Sequence, residues 1–472
     1  MIFIILKKQS AKKTFLKNVT HCKSGDCIQD FVFEFKSFFQ VARHNRSKIA
    51  LQYIKGLITL EKGKANMERM EEEIPDSEYR AYQHFISNSS WDYKGAISEL
   101  ARQACQLMQE SKKETSCPTG LIFDESAHVK KGDKSVGVSR QYAGVVGKVE
   151  NAQVGVYASL VNDIRSCLIN ERLFLPKKWV EDSSRCLDAD IPKKDITFKT
   201  KPQLALEMVD QAISQGISFD WIGGDGLYGH NSELRKGLEK RGLFYVLDVH
   251  KDEKVFTEKP IFKVPAKTKK RGRPSNKPKP HIEPVRLDTY QKQLSQDDWK
   301  VESHIRKTHK GWKKVKVHKS KVWICEDNQT LSEYTLVITQ SVDGKKETKY
   351  SLSNGDFEQY STEEYAYFQC QRYWVERAFD DLKNELGMSD YQIRKWKGWH
   401  HHHTLVFMAG LYLLKQRIDA KAEFPLMSTR DARILMIVSL FGTKKEVEKR
   451  IKQMKERHRK IQADIDRYYQ QT

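Results

Sequence analysis

Three acids stand where carboxylates could hold metal ions. Asp124 ends the apolar run Gly120–Phe123 and is followed by Glu125 and Ser126. Asp225 sits between Gly224 and Gly226, directly after Trp221 and Ile222. Glu376 lies in a helix-compatible stretch, four residues after Arg372 and seven before Lys383. Hydrolysis and transfer of phosphodiesters at neutral pH is commonly done with two Mg²⁺ ions about 3.5–4 Å apart. Mg²⁺ takes oxygen ligands and needs only a few carboxylates beside water and phosphate. Two acids at strand ends and one on a helix crossing the sheet would suffice, because regular elements fix their positions. Each acid also has an ordinary reading. Asp124 could be a solvated strand end, and Asp225 a turn aspartate. Glu376 could be the partner of Arg372 in a helix ion pair, worth roughly 0.2–0.5 kcal/mol.

The elements that must carry these acids follow from periodicity. Gly120–Phe123 reads as a strand, as do residues 153–161, 167–175, 219–223 and 243–249. Residues 201–215 read as an amphipathic helix with Leu204, Met208, Val209 and Ile213 on one side, and residues 232–241 as another. Three neighbouring strands, a helix and a further strand bearing a second acid is the ribonuclease-H-like order. The expected architecture is mixed α+β. Residues 1–30 form a variable basic arm, and 31–112 a helical N-terminal domain with Ile49, Tyr53, Ile54 and Leu57 on one helix face. Residues 113–250 and 345–415 make the catalytic domain. A β-rich insertion spans 251–344, with strands expected over 299–324 and 334–340; the latter could return to the main sheet. One helix is expected over 363–388 and another over 401–414. Residues 416–472 form a helical C-terminal region, opened near its end by the capping box Thr443–Glu446. Its apolar positions follow a heptad rhythm, readable as packing on its own domain or as a short coiled coil.

Composition narrows the partner. The 472 residues carry 83 Lys and Arg against 62 Asp and Glu, a net charge of +21. Such an excess points to a polyanion, since phosphate counterion release rewards clustered cations. The eight cysteines include no CxxC pair, which argues against a structural zinc site and for free thiols. The apolar start Met1–Leu6 is too short to span a membrane, and its lysines follow the run rather than precede it. No membrane association is expected.

The segments around the acids match a family. Asp124–Gly132 with Ser135–Tyr142, Gly224–Gly229, and Arg372–Lys383 with Glu385–Gly387 resemble the three acid-bearing blocks of insertion-sequence transposases of the DDE superfamily. More narrowly, the chain is similar to the bacterial branch with a long β-rich insertion before the final glutamate. Gly56–Met70 and Gln83–Trp91 resemble its N-terminal domain. The resemblance runs over about residues 40–430. It implies that Asp124, Asp225 and Glu376 bind two Mg²⁺, with Mn²⁺ a substitute, one to activate water or a 3′-hydroxyl and the other to stabilise the leaving oxygen. It implies double-stranded DNA as partner (element ends and target), a homodimer in a synaptic complex, and a place in the bacterial cytoplasm at the nucleoid. DNA contacts would come from Lys130, Lys131 and Arg140 in the first block and from Arg372 and Lys383 in the third. Trp312 and Trp323 of the insertion are candidates to stack a flipped base, or else are core residues. Relatives often place a tyrosine three residues before the arginine of the third block; here that position is Gln369, so that phosphate contact is not implied.

Two further features are distinct. The basic stretch Lys269–Pro274 contains Arg271 and Arg273 around Gly272, an AT-hook-like core that could enter a narrow A·T minor groove, or an ordinary linker. The run His400–His403 reads as helix-start residues near DNA rather than a metal site, because adjacent helical residues point to different faces. The alternatives to a transposase are a catalytically inactive or domesticated DNA-binding protein, and a ribonuclease-H-like nuclease without strand transfer.

Overall fold

Apolar stripes at helical spacing, closed by polar caps, build the N-terminal region. In the computed structural model of the chain, which describes residues 24–144, 146–264, 277–308, 311–326, 330–342 and 347–470, these become five helices. They are α1 (Ser24–Glu34), α2 (Ser47–Thr59), α3 (Met67–Glu73), α4 (Tyr79–Ser87) and α5 (Tyr93–Thr115). Helix α1 begins inside the stretch expected to be an arm, because Ile28, Phe31 and Val32 supply a buried stripe. The side chains of Asn66 and Asp92 cap α3 and α5, each accepting from a backbone N–H three residues on, and so satisfy donors the helix leaves open.

The period then changes to two. Strand β1 runs from Gly120 to Val129, well past the four apolar residues that mark it in sequence. It is followed by β2 (Ser139–Ala143), β3 (Lys148–Asn162) and β4 (Arg165–Leu173). The β3–β4 hairpin is antiparallel, from Gly155 opposite Leu173 to Asn162 opposite Arg165, as expected for these two strands. Next come α6 (Lys201–Ser214), β5 (Trp221–Gly224), α7 (Ser232–Glu239) and β6 (Tyr245–Val249). A Thr200–Gln203 capping box with Pro202 in the first turn starts α6. Its buried stripe ends at Ala212, while Ile213 is exposed, one position off the expected face. The insertion contains a meander of β7 (Lys300–Thr308), β8 (Gly311–Glu326), β9 (Thr330–Ser341) and β10 (Thr348–Ser353). The chain ends in α8 (Thr362–Gln371), α9 (Tyr373–Glu385), α10 (Trp396–Ala420), α11 (Thr429–Phe441) and α12 (Lys444–Gln470).

The chain divides into two compact units. One draws on residues up to Thr119, on Asp124–Phe219 and on Tyr373 onward; the other on Gly120–Phe123 and Asp220–Arg372. In the second unit the strands lie in the order β7-β8-β9-β10-β6-β5-β1. Strands β1, β5 and β6 are parallel neighbours, and β10 joins β6 antiparallel, Leu352 opposite Leu247. The strand returning to the parallel set is thus Thr348–Ser353, whereas residues 334–340 lie in β9, between β8 and β10. In the first unit β3 has β1 on one side and carries β2 and β4 on the other. Helix α10, almost wholly buried, packs against α2, α4, α5 and β4. The helix expected over 363–388 is two, α8 and α9, which meet at Arg372. In α12, Val447, Ile451, Met454 and His458 are buried. Arg457 pairs with Asp431 of α11, so this half of the heptad face packs on its own chain. Among the described residues no helix is long and apolar enough to cross a membrane.

Candidate functional site

The parallel ladder of the second unit sets Gly120 opposite Trp221 and Phe123 opposite Gly224. Each strand therefore delivers an aspartate as its next residue, Asp124 and Asp225. Leu121, Ile122 and Phe123 are buried, as are Trp221 and Ile222, so the ladder that aims the acids is anchored by apolar packing. Asp124 is 8% exposed and its Oδ1 accepts from the Glu125 backbone N–H at 2.8 Å. Asp225 is half-buried. Its Oδ1 accepts from the Leu227 N–H at 2.9 Å, capping the one-turn helix Gly226–Gly229. Such N–H donors favour the ionised carboxylate. That turn is held close to the sheet: a Cβ on Gly229 would lie 1.9 Å from the carbonyl oxygen of Asp248.

Beside Asp124 in the first unit Glu125 offers a second carboxylate, and the second unit contributes Asp225. The donor set is all oxygen, which suits a hard cation such as Mg²⁺ better than a thiophilic one. Glu125 is the member the sequence reading passed over. Consecutive strand residues point to opposite faces, so adjacency to Asp124 counts against it. Lys201 at the start of α6 also holds it, Nζ to Oε1 at 2.9 Å.

Glu376 belongs to the first unit. It lies exposed on the first turn of α9. Lys383 follows seven residues later, two turns on and nearly on the same face. Burial lowers the Lys383 pKa, while Asp380 and then Asp124 act to raise it. The face of α9 that carries Lys383 is therefore within electrostatic reach of Asp124. Arg372 stands at the junction of α8 and α9 and faces Asp248 of β6, Nε to Oδ2 at 3.4 Å. Burial raises the Asp248 pKa, and Arg372 is the first of the groups opposing that rise.

The other expected DNA contacts fall into different settings. Lys131 and Arg140 are exposed, with Arg140 donating to the Val149 carbonyl at 3.1 Å. Lys130 is engaged internally. Its ammonium donates to the Tyr391 carbonyl at 2.9 Å and lies 3.5 Å from the centre of the Tyr391 ring; burial brings its pKa down to about 7. Trp312 is 37% exposed, and Trp323 is half-buried, its backbone bridged to Phe256. Arg271 and Arg273 lie outside the described residues. Gln369, where relatives often place tyrosine, is 2% exposed and bonds Thr339 and Ser351, a core role that a phosphate contact would forfeit.

The run His400–His403 is a correction. All four side chains are buried, which rules out a DNA-facing surface in this structure. His401 Nδ1 meets the Ile86 carbonyl at 2.8 Å, His402 Nδ1 the Tyr53 hydroxyl at 2.9 Å, and His403 Nε2 the Tyr157 hydroxyl at 3.1 Å. Tyr157 also meets His128 Nε2 of β1 at 2.9 Å. Each of the four imidazoles has at least one ring nitrogen bonded to a neighbouring group, while the Nε2 atoms of His400, His401 and His402 are buried without a hydrogen-bond partner.

Acids delivered by paired parallel strands, with a further acid on a following helix, belong to a known class, and the match of residues 35–314 to the DDE superfamily endonuclease family covers more than half of the chain. The chain belongs to that family and is an enzyme of it. Among particular proteins, a probable transposase for insertion sequence element IS701 from Microchaete diplosiphon is 24% identical over 332 residues, 70% of this chain and 71% of that protein. The piggyBac transposase, in a synaptic complex with hairpin DNA seen by electron cryo-microscopy, aligns over 96% of this chain and 84% of its own with a TM-score of 0.40 and 9% identity.

Proposed function

We propose that this protein is a DDE transposase that binds the terminal inverted repeats of its insertion sequence, cleaves the DNA and joins the ends to target DNA. The observation that carries the proposal is the β1–β5 ladder, which delivers Asp124 and Asp225 from neighbouring parallel strands. It is supported by membership of the endonuclease family and by similarity to a probable insertion-sequence transposase. Asp124, Asp225 and Glu376 are the acids proposed to hold two Mg²⁺, or Mn²⁺ in its place, with Glu125 beside them; bound there, such ions polarise the phosphate and lower the pKa of attacking water. The chain's own part is positional. The ladder fixes the backbone positions of Asp124 and Asp225, α9 carries Glu376, and the N–H groups of Glu125 and Leu227 donate to the two aspartates. Lys383, Lys131, Arg140 and Arg372 are proposed to meet DNA phosphates, with Arg271 and Arg273 in the minor groove and Trp312 or Trp323 available for base stacking. The ribonuclease-H-like domain layout, a homodimer in the synaptic complex, and action on double-stranded DNA in the bacterial cytoplasm belong to the same proposal.

The test is a gel assay on labelled DNA carrying the element's end and flank, comparing wild type with Glu376→Ala, each with and without Mg²⁺. Metal-dependent cutting at the end boundary, lost in the variant, is the expected result, followed by joined products with target DNA. Cutting without joining would instead identify a nuclease. Binding by both proteins with cutting by neither, in Mg²⁺ and in Mn²⁺, would identify a DNA-binding protein without catalysis.

A further inference from the structure

Away from Asp124 and Glu125, the first unit holds a cavity of about 290 Å³ between the start of α5, β4, α6 and the start of α10. This is near the small end of the range for ligand sites. At its wall Glu171, 1% exposed, and His400, 4% exposed, are joined by a 2.6 Å contact from His400 Nδ1 to Glu171 Oε1. The other atom of each group, Glu171 Oε2 and His400 Nε2, is buried without a hydrogen-bond partner. With Nδ1 engaged by the carboxylate, Nε2 is the ring atom left open, and Glu171 Oε2 asks for a donor.

The rest of the wall adds further acceptors, together with one buried donor without a partner, Trp396 Nε1. Asp195 and Glu207 add two further carboxylates, of which Glu207 is paired with Lys199 at 2.6 Å. Arg172, which also lines the cavity, spends its guanidinium on the Asn170 side chain, the Glu171 carbonyl and the Gln211 side chain. Lys94 lines the mouth and is exposed. Tyr93 and Trp396 contribute aromatic rings, packed on His400 at 5.0 and 4.6 Å between centres. The Tyr93 phenol is pushed up by burial and then by the negative charges of Glu171 and Asp195, so the field at the wall is negative. Carboxylates beside aromatic rings are the setting that holds organic cations. A metal ion fits less well, because these acids and His400 do not form a set of three ligand atoms within 4.8 Å.

We propose that this cavity binds an organic ammonium ion of the diamine or polyamine class, held by Glu171, His400 and Asp195 between the rings of Tyr93 and Trp396. The proposal is independent of the transposase reading. It is tested by isothermal titration calorimetry of spermidine into the full-length protein without DNA, at matched ionic strength. A single saturable site is expected. Glu171→Gln and Asp195→Asn should each weaken binding about tenfold, the loss of a charge-assisted hydrogen bond, while Glu72→Gln on the exposed face of α3 should not. Should Glu171→Gln fail to fold, Asp195→Asn and Tyr93→Leu, both at half-buried positions, carry the test. Absence of a saturable site would overturn the proposal, leaving the orphan atoms to water. So would equal affinity in wild type and the cavity variants, the mark of general charge attraction, or saturable binding of Zn²⁺ with none of spermidine.

Discussion

Two groups of ionisable side chains in this molecule are treated in opposite ways. Midway along β1 and just past the end of β5, Asp124 and Asp225 each accept from a backbone N–H. Four residues further along β1, His128 enters a buried cluster with His401, His402 and His403. There burial is the leading cause holding all four imidazoles well below their usual range, His401 and His402 at about 3. The first group gathers negative charge, part of it met by Lys201 on Glu125. The second excludes charge and uses its nitrogens as fixed hydrogen-bonding points. One strand thus carries the proposed metal ligand Asp124 and the anchored His128, with Lys130 anchored just past its end, although the sequence presents them as one polar block.

The difference can be broken from either side. The largest effect should follow Asp225→Asn. Cleavage should fall about a hundredfold or more, as when a key electrostatic partner of the transition state is removed, while the melting temperature stays near that of wild type. Cleavage at the wild-type rate would remove Asp225 from the mechanism. Acid should act on the other group. The unfolded chain takes up protons on these imidazoles near pH 6.5, the folded chain only near pH 3 for His401 and His402. Their contribution is therefore complete above about pH 6.5 and drains away as pH falls toward 3, by up to about 1.4 kcal/mol per pH unit for each imidazole. Urea unfolding at pH 7 and pH 5 should show that loss, and an unchanged midpoint would contradict buried neutral histidines. The smallest effect is expected from Tyr157→Phe. Removing the hydroxyl shared by His128 and His403 should cost about 1–3 kcal/mol of stability, read as a lower urea midpoint, with the cleavage rate of the folded protein unchanged.

The strand that ends before Asp225 was legible in the sequence because bounding glycines and an apolar run mark it directly, whereas β1 continues past Asp124 to Val129 through residues that give no apolar run. Also legible were the β3–β4 pair, α6 and the final helix, whose cap and period are local signals. The return of β10 to β6 was not, since pairing partners are decided by tertiary packing; Thr348–Ser353 carries mixed polar and apolar residues that give no hint of its neighbour. The break at Arg372 was hidden because its backbone stays helical in φ and ψ. Burial of His400–His403 was missed for a related reason. Four imidazoles look like surface until Glu171, Ile86, Tyr53 and Tyr157, far away in sequence, are seen to receive them.

Gly229, pressed against the Asp248 carbonyl, has a consequence for how the family's signatures should be interpreted. Its lack of a side chain is demanded by architecture, not by reaction chemistry, whereas Asp225 four positions earlier is a proposed metal ligand that also caps the turn. A side chain at Gly229 should therefore displace the turn, while Asp225→Asn, which keeps a capping oxygen, should still give folded protein. The two residues of one short signature thus answer to different demands, the glycine to packing and the aspartate to the proposed chemistry.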